Sequence, residues 1–360
     1  MNFACTCLRM PLVRDQAAAF MQNNLLPVTK PQHKEFFFVY SVNTLHLNRL
    51  HMKKTISVSN LFAASFLFIS LLSCKKQITV ANDQPNAEKA AKGGGVITSN
   101  VSVNATGICD YLLNETAIIA AGYTKVFEDN FDTDLSKWNI WTGGAFNNEL
   151  QYYQPANLQL LNGNLVITAK KETVTGATTP FDATLKTFNY TSGRIECKTN
   201  ISASTATPKV RIVARIKLAS GYGMWPAFWS YGDPWPTQGE IDYIEARGQE
   251  PFNYQTNYFY GRAANRNLVK NKVGFITSDV SLTSCYHVYE MIWAQNSLTS
   301  LFDGNIVETK TGSYVPNLFG KTERVVLNLA VGGNFFSNFN PSQIVTGNMS
   351  VDFVKVFTAK

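Results

Sequence analysis

The chain has 360 residues, of which 45% are hydrophobic and 12% aromatic, so it can bury a large core and global disorder is excluded. Its net charge of +7 arises entirely before Gln77, and acidic and basic side chains balance in the rest of the chain. A neutral folded body argues against nucleic-acid binding, because that function depends on a basic surface.

Met52 begins a segment with the features of a signal peptide. Two lysines precede an apolar run that ends at Leu72, and this run is too short for a membrane span. The run ends in a sequence that resembles a bacterial lipobox, whose cysteine, here Cys74, becomes the lipidated first residue. We therefore predict that 1–51 is an over-extended start and that 52–74 is a lipoprotein signal peptide. The alternative is that 1–51 is a genuine cytoplasmic extension.

A tether and one β domain are predicted after the anchor. Residues 75–107 are poor in large apolar side chains, which is typical of a flexible linker that holds a domain away from a membrane. Over residues 108–360, short alternating runs recur between turn signals such as "LNGN" and "FDGN", without a long helical periodicity. This pattern predicts an all-β fold, a two-sheet antiparallel sandwich or jelly roll.

Three cysteines and one histidine remain after Cys74. An extracytoplasmic location permits either one disulfide among Cys109, Cys197 and Cys285 or three unpaired buried thiols, and the spacing does not decide the pairing. His287 lies in the alternating stretch "CYHVYEMIW", which predicts a strand histidine with satisfied hydrogen bonds rather than a catalytic one. The chain has no CxxC or HExxH spacing for zinc.

The stretch "GEIDYIEARG" carries three carboxylates, Glu240, Asp242 and Glu245, in an apolar and aromatic setting. Residues i and i+2 of a strand share a face, whereas Glu245 needs a β-bulge to join the other two. Such a bulge would bring Glu240 and Glu245 to about 5–5.5 Å, the separation used in retaining glycoside hydrolysis. One carboxylate would attack the sugar, the other would transfer protons, and Asp242 would assist. The alternative is a calcium site.

Aromatic and polar side chains flank the acids. Tryptophans offer flat faces for pyranose rings, although a tryptophan beside a strand is as often part of the core. Three tryptophans and three polar residues are candidates for sugar contacts: Trp225, Trp229, Trp235, Asn148, Glu149 and Gln151.

The segment "GMWPAFWSYGDPWPTQGEIDYIEARGQEP" resembles the core of glycoside hydrolase family 16, whose bulged branch has the signature Glu-x-Asp-x-x-Glu. Ordered motifs, among them "YTSGRIECK" and "VLNLAVGGN", extend the resemblance over about residues 122–360. The resemblance implies a β-jelly-roll with a concave cleft and retaining cleavage of internal β-linkages without a cofactor. It also implies that Glu240 is the nucleophile, Asp242 the assisting acid and Glu245 the acid/base.

Within the family, the chain is most similar to the laminarinase-like branch, which is endo-acting on β-1,3 or mixed β-1,3/1,4 glucans. Asn257 stands where that branch commonly has an imidazole, and Arg262 and Arg266 could instead bind sulfate or carboxylate groups of a marine galactan. The alternatives are therefore a galactanase of the agarase, porphyranase or carrageenase kind, or a non-catalytic carbohydrate-binding jelly roll. The positions that match the family's cleft are Asn148, Arg194, Trp225 and Trp229.

The resemblance also bears on metals and partners. Family members often hold a structural calcium ion on the convex side, and the matching groups here are Asn130, Gly163 and Asp352. Calcium would stabilise the fold without a part in the chemistry. The expected partner is a polysaccharide, with membrane contact only through the lipid at Cys74, and nothing in the sequence indicates an oligomer, so we expect a monomer.

Overall fold

A computed structural model describes residues 102–269 and 273–360. The predicted extension, the signal peptide with Cys74 and the tether up to residue 101 lie outside the described residues. In chain order the elements are β1 (Ser102–Ala105), α1 (Glu115–Ala120), β2 (Thr124–Asp129), β3 (Trp138–Ile140), β4 (Gln151–Tyr153), β5 (Leu158–Leu161), β6 (Asn164–Thr168), β7 (Val174–Thr179), β8 (Asp182–Phe188), β9 (Tyr190–Ser192), β10 (Arg194–Ile201), β11 (Lys209–Lys217), β12 (Met224–Tyr231), β13 (Glu240–Ala246), β14 (Asn253–Phe259), β15 (Gly274–Ser278), β16 (His287–Ala294), β17 (Ser297–Phe302), β18 (Asn305–Lys310), β19 (Glu323–Val331) and β20 (Asn348–Ala359), with 3-10 turns at Pro155–Asn157, Val315–Leu318 and Pro341–Gln343.

Two large sheets form the domain, as predicted. The first, which we call the cleft sheet, has the strand order β1-β15-β14-β13-β12-β19-β10-β3. The second, the back sheet, has the order β18-β17-β16-β11-β20-β6-β5, and β2 also pairs with β20. Pairing within both is antiparallel except between β1 and β15, and two small ribbons, β4–β9 and β7–β8, lie outside the two sheets.

The core lies between the two sheets, because alternate side chains of each strand point inward. In β11, for example, Ile212 and Ala214 are fully buried while Lys209 is exposed. The outer face of the back sheet is partly covered by α1, through Ile118. Among the residues described, no helix has both the length and the apolar character needed to cross a membrane. Core residues from the cleft sheet include Ile195, Phe228, Ile241 and Leu327, and those from the back sheet include Met291, Trp293 and Val354.

The predicted boundary between tether and domain at residue 107 was wrong. Ser102–Ala105 forms β1, which pairs in parallel with β15 from Ser102↔Phe275 to Ala105↔Ser278. The edge of a sheet presents unpaired backbone groups, and the short alternating segment Ser-Val-Asn-Ala satisfies those of β15. The ordered domain therefore includes residues that composition alone assigned to the linker.

The structure decides between the cysteine alternatives and confirms the interpretation of the histidine. Cys109 and Cys285 form a disulfide across 176 residues of sequence, and Cys197 is a buried free thiol. His287 is buried in β16, and its Nδ1 lies 2.7 Å from the carboxylate of Asp303. It is therefore a satisfied strand histidine remote from the acid cluster.

The three residues predicted to hold calcium are placed as follows. Asp352 lies in β20, where its Oδ2 accepts a hydrogen bond from Arg215 Nη1 at 2.8 Å. Asn130 is exposed after β2, and Gly163 forms the turn between β5 and β6. Over residues 102–269 and 273–360, no group of three His, Cys, Asp or Glu side chains could hold a metal ion. Calcium binding through Asn130, Gly163 and Asp352 therefore stays a prediction.

Candidate active site

The acids lie in a cleft on the open face of the cleft sheet. The cleft has a volume of about 580 Å³, and Glu240, Asp242 and Glu245 all line it. They project from β13 to this face, while Ile241 and Ile244 of the same strand are fully buried on the core side. One strand thus separates the core from a row of three carboxyl groups.

A β-bulge in β13 produces this arrangement, as the spacing predicted. Opposite β14, Asp242 pairs with Asn257 and Glu245 pairs with Gln255, so three steps along β13 match two steps along β14. The register with β12 shifts at the same point, where Phe228 pairs with Ile244 and Trp229 pairs with Asp242. The extra residue shifts the alternation of side chains by one position, so Glu245 points to the same face as the other two acids.

Glu240 is held by an indole donor. Its Oε2 accepts a hydrogen bond from Trp235 Nε1 at 2.6 Å. Burial is the main influence that raises the pKa of Glu240, and the nearby charge of Glu245 raises it further. The indole N–H and the guanidinium of Arg194 act in the opposite direction, because both favour the ionised carboxylate.

Asp242 is the most enclosed of the three acids, with 3% exposure. Its Oδ2 has no hydrogen-bond partner among the described residues. Burial, followed by the charges of Glu240 and Glu245, raises the pKa of Asp242 well above its ordinary value. Because Glu240 has donors that favour its charge and Asp242 has none, the proton of this pair belongs on Asp242, which then donates a hydrogen bond to Glu240.

Glu245 has an environment suited to proton transfer. Its Oε1 accepts a hydrogen bond from Trp225 Nε1 at 3.1 Å. Burial raises the pKa of Glu245 to about 7, a rise that the Trp225 donor and the charge of Arg247 oppose and that Glu149 reinforces. A carboxyl group with such a pKa can both give and take a proton near neutral pH.

The three predicted tryptophans differ in how freely their faces are available. Trp225 is 9% exposed and stacks on Phe335, with ring centroids 4.5 Å apart and an interplanar angle of 9°, so one of its faces is covered. Trp229 lines the cleft and donates its Nε1 hydrogen to Asn328 Oδ1 at 2.7 Å. Trp235 also lines the cleft. Two of the three indoles, those of Trp225 and Trp235, donate hydrogen bonds to carboxylates of the acid cluster.

Arg194 lies in the cleft wall between aromatic rings. Its guanidinium carbon is 4.1 Å from the ring centre of Trp141 and 4.9 Å from that of Trp229. Its charge is matched by Glu196, whose Oε1 accepts a hydrogen bond from Nη2 at 2.6 Å. Arg194 therefore serves as a fixed, stacked part of the wall with its charge already paired.

Three predicted contact residues lie outside the cleft lining. Gln151 is fully buried and donates a hydrogen bond from Nε2 to Glu149 Oε2 at 2.7 Å. Asn148 is exposed and donates its amide hydrogen to Asn334 Oδ1 at 2.9 Å, whereas the neighbouring Asn147 lines the cleft. Asn257 lies opposite Asp242, and its Oδ1 accepts a hydrogen bond from the backbone of Tyr258 at 2.9 Å.

Sequence reasoning missed several lining residues. Phe259 pairs with Glu240 and shares its face, so the strand register could have identified it. Phe181 lies at the turn of the β7–β8 ribbon and packs edge-on against Trp141 at 5.7 Å, and nothing in its local sequence indicates this contact. The lining residues that were not predicted include Trp141, Phe146, Asn147, Phe181, Tyr231, Phe259, Asn265 and Asn328.

The site combines a carboxylate supported by donors, a buried neutral acid and a third carboxyl group with a pKa of about 7. These are the groups that nucleophilic and acid–base catalysis at a glycosidic bond requires. An all-β sandwich with this acid triple in an aromatic cleft defines the glycoside hydrolase class.

Comparison with known proteins assigns the family. Residues 147–332, more than half of the chain, match the sequence profile of Glycosyl hydrolases family 16, and the chain belongs to this family. A glucan endo-1,3-beta-glucosidase from Cryptopygus antarcticus is 31% identical over 69% of this chain and 96% of its own length. Glucan endo-1,3-beta-glucosidase A1 from Niallia circulans is 29% identical over 66% of this chain, which spans only 38% of that relative.

A solved structure supports the fold. The endo-beta-1,3-glucanase from Pyrococcus furiosus superimposes with a TM-score of 0.56 at 29% sequence identity. The match covers 66% of this chain and 95% of that chain.

Proposed function

We propose that the protein is a retaining endo-β-glucanase that hydrolyses internal β-1,3 or mixed β-1,3/1,4 linkages by double displacement. The observation that carries this proposal is the bulged strand, which brings Glu240, Asp242 and Glu245 to one face of an aromatic cleft. An open cleft suits an internal stretch of a polysaccharide. A binding module would have no use for a proton-transferring Glu245 beside a nucleophile.

In the first step, the Glu240 carboxylate attacks the anomeric carbon while the bond from that carbon to the glycosidic oxygen breaks. Glu245 gives its proton to the departing oxygen, so the leaving sugar departs as a neutral alcohol. Asp242 donates a hydrogen bond to Glu240 and keeps it oriented, and Trp235 Nε1 donates another to Glu240 Oε2. The product of this step is a covalent ester between the sugar and Glu240.

In the second step, water replaces the leaving sugar. Formation of the ester removes the charge of Glu240, and loss of a neighbouring negative charge lowers the pKa of Glu245. Glu245, now ionised, takes a proton from the water as its oxygen attacks the anomeric carbon, and Glu240 is released as a carboxylate. Two inversions at one carbon give net retention.

The glucan substrate is supported by the printed activities of the relatives and by the family. Recognition of a sulfated galactan receives no support from the cleft, because Arg262 and Arg266 are exposed and lie outside its lining. Trp229, Trp235 and Phe259 offer apolar ring surface to uncharged sugars instead.

The test is release of reducing ends from laminarin, lichenan, agarose, porphyran and carrageenan. We expect release from the glucans with β-configured first products, seen by proton NMR. Glu240→Ala should reduce turnover by orders of magnitude and, with azide as a substitute nucleophile, give an α-glycosyl azide from an activated aryl glycoside. Glu128→Ala, which removes an acid of the back sheet, is the control. Release from galactans alone would contradict the glucanase proposal.

We also propose that the protein is a monomeric lipoprotein, anchored outside the cytoplasm through Cys74 and acting in polysaccharide degradation. The signal-peptide pattern supports this location, and the Cys109–Cys285 disulfide is compatible with it. Labelling of the precursor with a radioactive fatty acid in its natural host should be lost in Cys74→Ala. Peptides from before Met52 in the mature protein would contradict the proposed start.

A further inference from the structure

The loop between β12 and β13, residues 232–239, carries Trp235 into the catalytic cleft. We call these residues the Trp235 loop. Its two ends meet in a hydrogen bond from the Gly232 backbone N–H to the Gly239 carbonyl oxygen at 3.1 Å. Between these ends, Trp235 donates its Nε1 hydrogen to Glu240 Oε2 at 2.6 Å. Because this bond forms only if the indole keeps its position, the contacts that anchor the loop decide how well Glu240 is supported.

One side of the Trp235 loop is anchored by the segment that follows β14. The backbone N–H of Asn265 donates to the carbonyl oxygen of Trp235 at 2.9 Å, and that of Gly261 donates to the carbonyl oxygen of Pro236 at 3.1 Å. A Cβ atom at position 261 would lie 2.8 Å from Pro236 Cγ, so a larger residue would disturb this approach. These bonds hold the backbone of the loop from the side of β14.

The other side of the loop is anchored by an ion pair. Arg324 lies near the start of β19, and its Nη2 donates to Asp233 Oδ2. A second bond runs from the Thr322 backbone N–H to Gln238 Oε1 at 3.3 Å. Because β14 and β19 flank the β12–β13 pair on opposite sides, the Trp235 loop is held between them.

Arg324 is itself fixed by two other strands. Its Nε donates to Glu196 Oε2 on β10 at 2.8 Å, and its Nη2 donates to the hydroxyl of Tyr231 on β12 at 2.5 Å. The guanidinium carbon also lies 4.2 Å from the Tyr231 ring centre. Glu196 accepts a further hydrogen bond from Arg194, so the charges form a chain of alternating sign that ends at Asp233. A guanidinium held in such a network loses little further freedom when it binds the loop.

Charged groups face Glu240 from three strands. Burial has the largest influence on the pKa of Glu240, the charge of Glu245 raises it further, and Arg194 of β10 lowers it. Asp242 of β13 hydrogen-bonds Glu240. Burial, and after it the charge of Glu240, raises the pKa of Glu323 of β19. Ionisation of Glu240 is therefore opposed by its surroundings and depends on the donors that it keeps.

We propose that Asp233 is a positioning residue for the nucleophile. Its ion pair with Arg324 holds the Trp235 loop, and the loop keeps the indole N–H on Glu240. The proposal rests on the proposed function, in which Glu240 must be ionised to attack the sugar. A negative charge that acted directly on Glu240 would raise its pKa, so removal of Asp233 would lower that pKa. Loss of the indole donor would raise it instead, and the two roles therefore predict shifts of opposite sign.

The test is the acidic limb of the pH profile of kcat/KM for laminarihexaose, measured with the full chain. Asp233→Ala should move this limb upward by about half a pH unit, equivalent to a loss of about threefold at the acidic end, because half-exposed ion pairs are weak. Asp233→Asn keeps an acceptor for Arg324 and should move the limb less. Asp134→Asn, at an exposed position between β2 and β3, is the control and should leave the profile unchanged.

A double variant tests whether Asp233 acts through the indole. In Asp233→Ala/Trp235→Phe, the acidic limb should lie where Trp235→Phe alone places it, because the donor is already absent. Additive shifts in the double variant would overturn the proposal. A downward shift in Asp233→Ala, or none, would overturn it as well.

The indole gives a second readout that does not depend on turnover. With 15N-labelled tryptophan, the Nε1–H resonance of Trp235 is identified by its loss in Trp235→Phe. It should shift as Glu240 ionises in the wild type and lose most of this response in Asp233→Ala, while the resonance of the core indole Trp293 shows that the variant is folded. The milder Asp233→Asn serves if the alanine variant unfolds.

The two readouts separate the two proposals. A response of Trp235 that is unchanged in the variants would overturn the positioning role of Asp233. If the wild type cleaves no glucan while the resonance responds as expected, the proposed function fails and the anchoring of the Trp235 loop by Asp233 stands.

Discussion

The hydrogen bond from Trp225 to Glu245 makes a quantitative prediction about pH dependence. Trp225→Phe removes the N–H that favours the ionised carboxylate and keeps an aromatic ring against Phe335. The pKa of Glu245 should therefore rise from about 7. A hydrogen bond to a charged group contributes roughly 1.5–3 kcal/mol, or about one to two pKa units. At 3.1 Å the bond is long for a charge-assisted one, so we expect about one unit.

The assay is kcat/KM for laminarihexaose between pH 4 and pH 10. Glu245 must be protonated to donate its proton in the first step. A higher pKa of Glu245 should therefore move the alkaline limb of the profile up by about one pH unit. Trp229→Phe is the matched control, because the indole N–H of Trp229 donates to Asn328 rather than to one of the three acids. Trp235→Phe removes the donor to Glu240, which must be ionised, so it should move the acidic limb upward instead.

The three variants together can refute the reasoning. An alkaline limb that stays in place in Trp225→Phe would mean that Glu245 is not the group that must be protonated. The same shift in Trp229→Phe would mean that any loss of cleft packing moves the profile. A shift of the wrong limb would exchange the roles of Glu240 and Glu245.

Two further predictions concern stability. Burial raises the pKa of Glu323 well above 4.5, so the folded protein loses stability relative to the unfolded chain as the pH rises above 4.5. Glu323→Gln removes this ionisation and keeps a hydrogen-bond partner for Ser230. Its Tm should therefore exceed that of the wild type between pH 5 and pH 8. A difference in Tm that does not vary with pH would contradict this account. Replacing Cys109 and Cys285 by serine should lower the free energy of unfolding by about 2–5 kcal/mol in urea titrations. Cys197→Ala is the control, and an equal loss there would contradict a specific effect of the disulfide.

The acid cluster could be predicted because strand geometry has a strict period of two. Three acids at positions 1, 3 and 6 of a buried strand are compatible with one face only if the strand is bulged, and the register shift between Asp242 and Glu245 bears this out. The apolar side chains between them point to the core for the same reason. The local sequence was therefore enough to predict which side chains of β13 face the cleft and which face the core.

The remainder of the cleft depends on contacts between residues far apart in sequence. Phe181 reaches Trp141 only because the β7–β8 ribbon folds back over the cleft, and no periodicity encodes that approach. Asn147 lines the cleft in place of Asn148 because the loop adopts a left-handed backbone at both residues. Likewise, β1 pairs with a strand more than 170 residues away, and its four residues are too short a pattern to identify.

The repulsion among the carboxyl groups of the site is reduced by protonation rather than by nearby cations. Arg194 is the cation in the cleft wall, yet Glu196 already pairs with it, and Glu196 also accepts a hydrogen bond from Arg324 at 2.8 Å. The charge of Arg194 is therefore only a minor influence on the pKa of Glu240. The buried carboxyl groups must then reduce their mutual repulsion by holding protons, which is why Asp242 stays neutral and Glu245 titrates near neutral pH.

A sugar that fills the cleft removes further water and strengthens this effect, because burial is the leading cause of each raised pKa. In the proposed mechanism, Glu245 then enters the first step protonated. When Glu240 becomes an ester, one negative charge disappears, and Glu245 can lose its proton at the same pH. In the proposed mechanism, the same closely packed acids thus supply an acid for the first step and a base for the second.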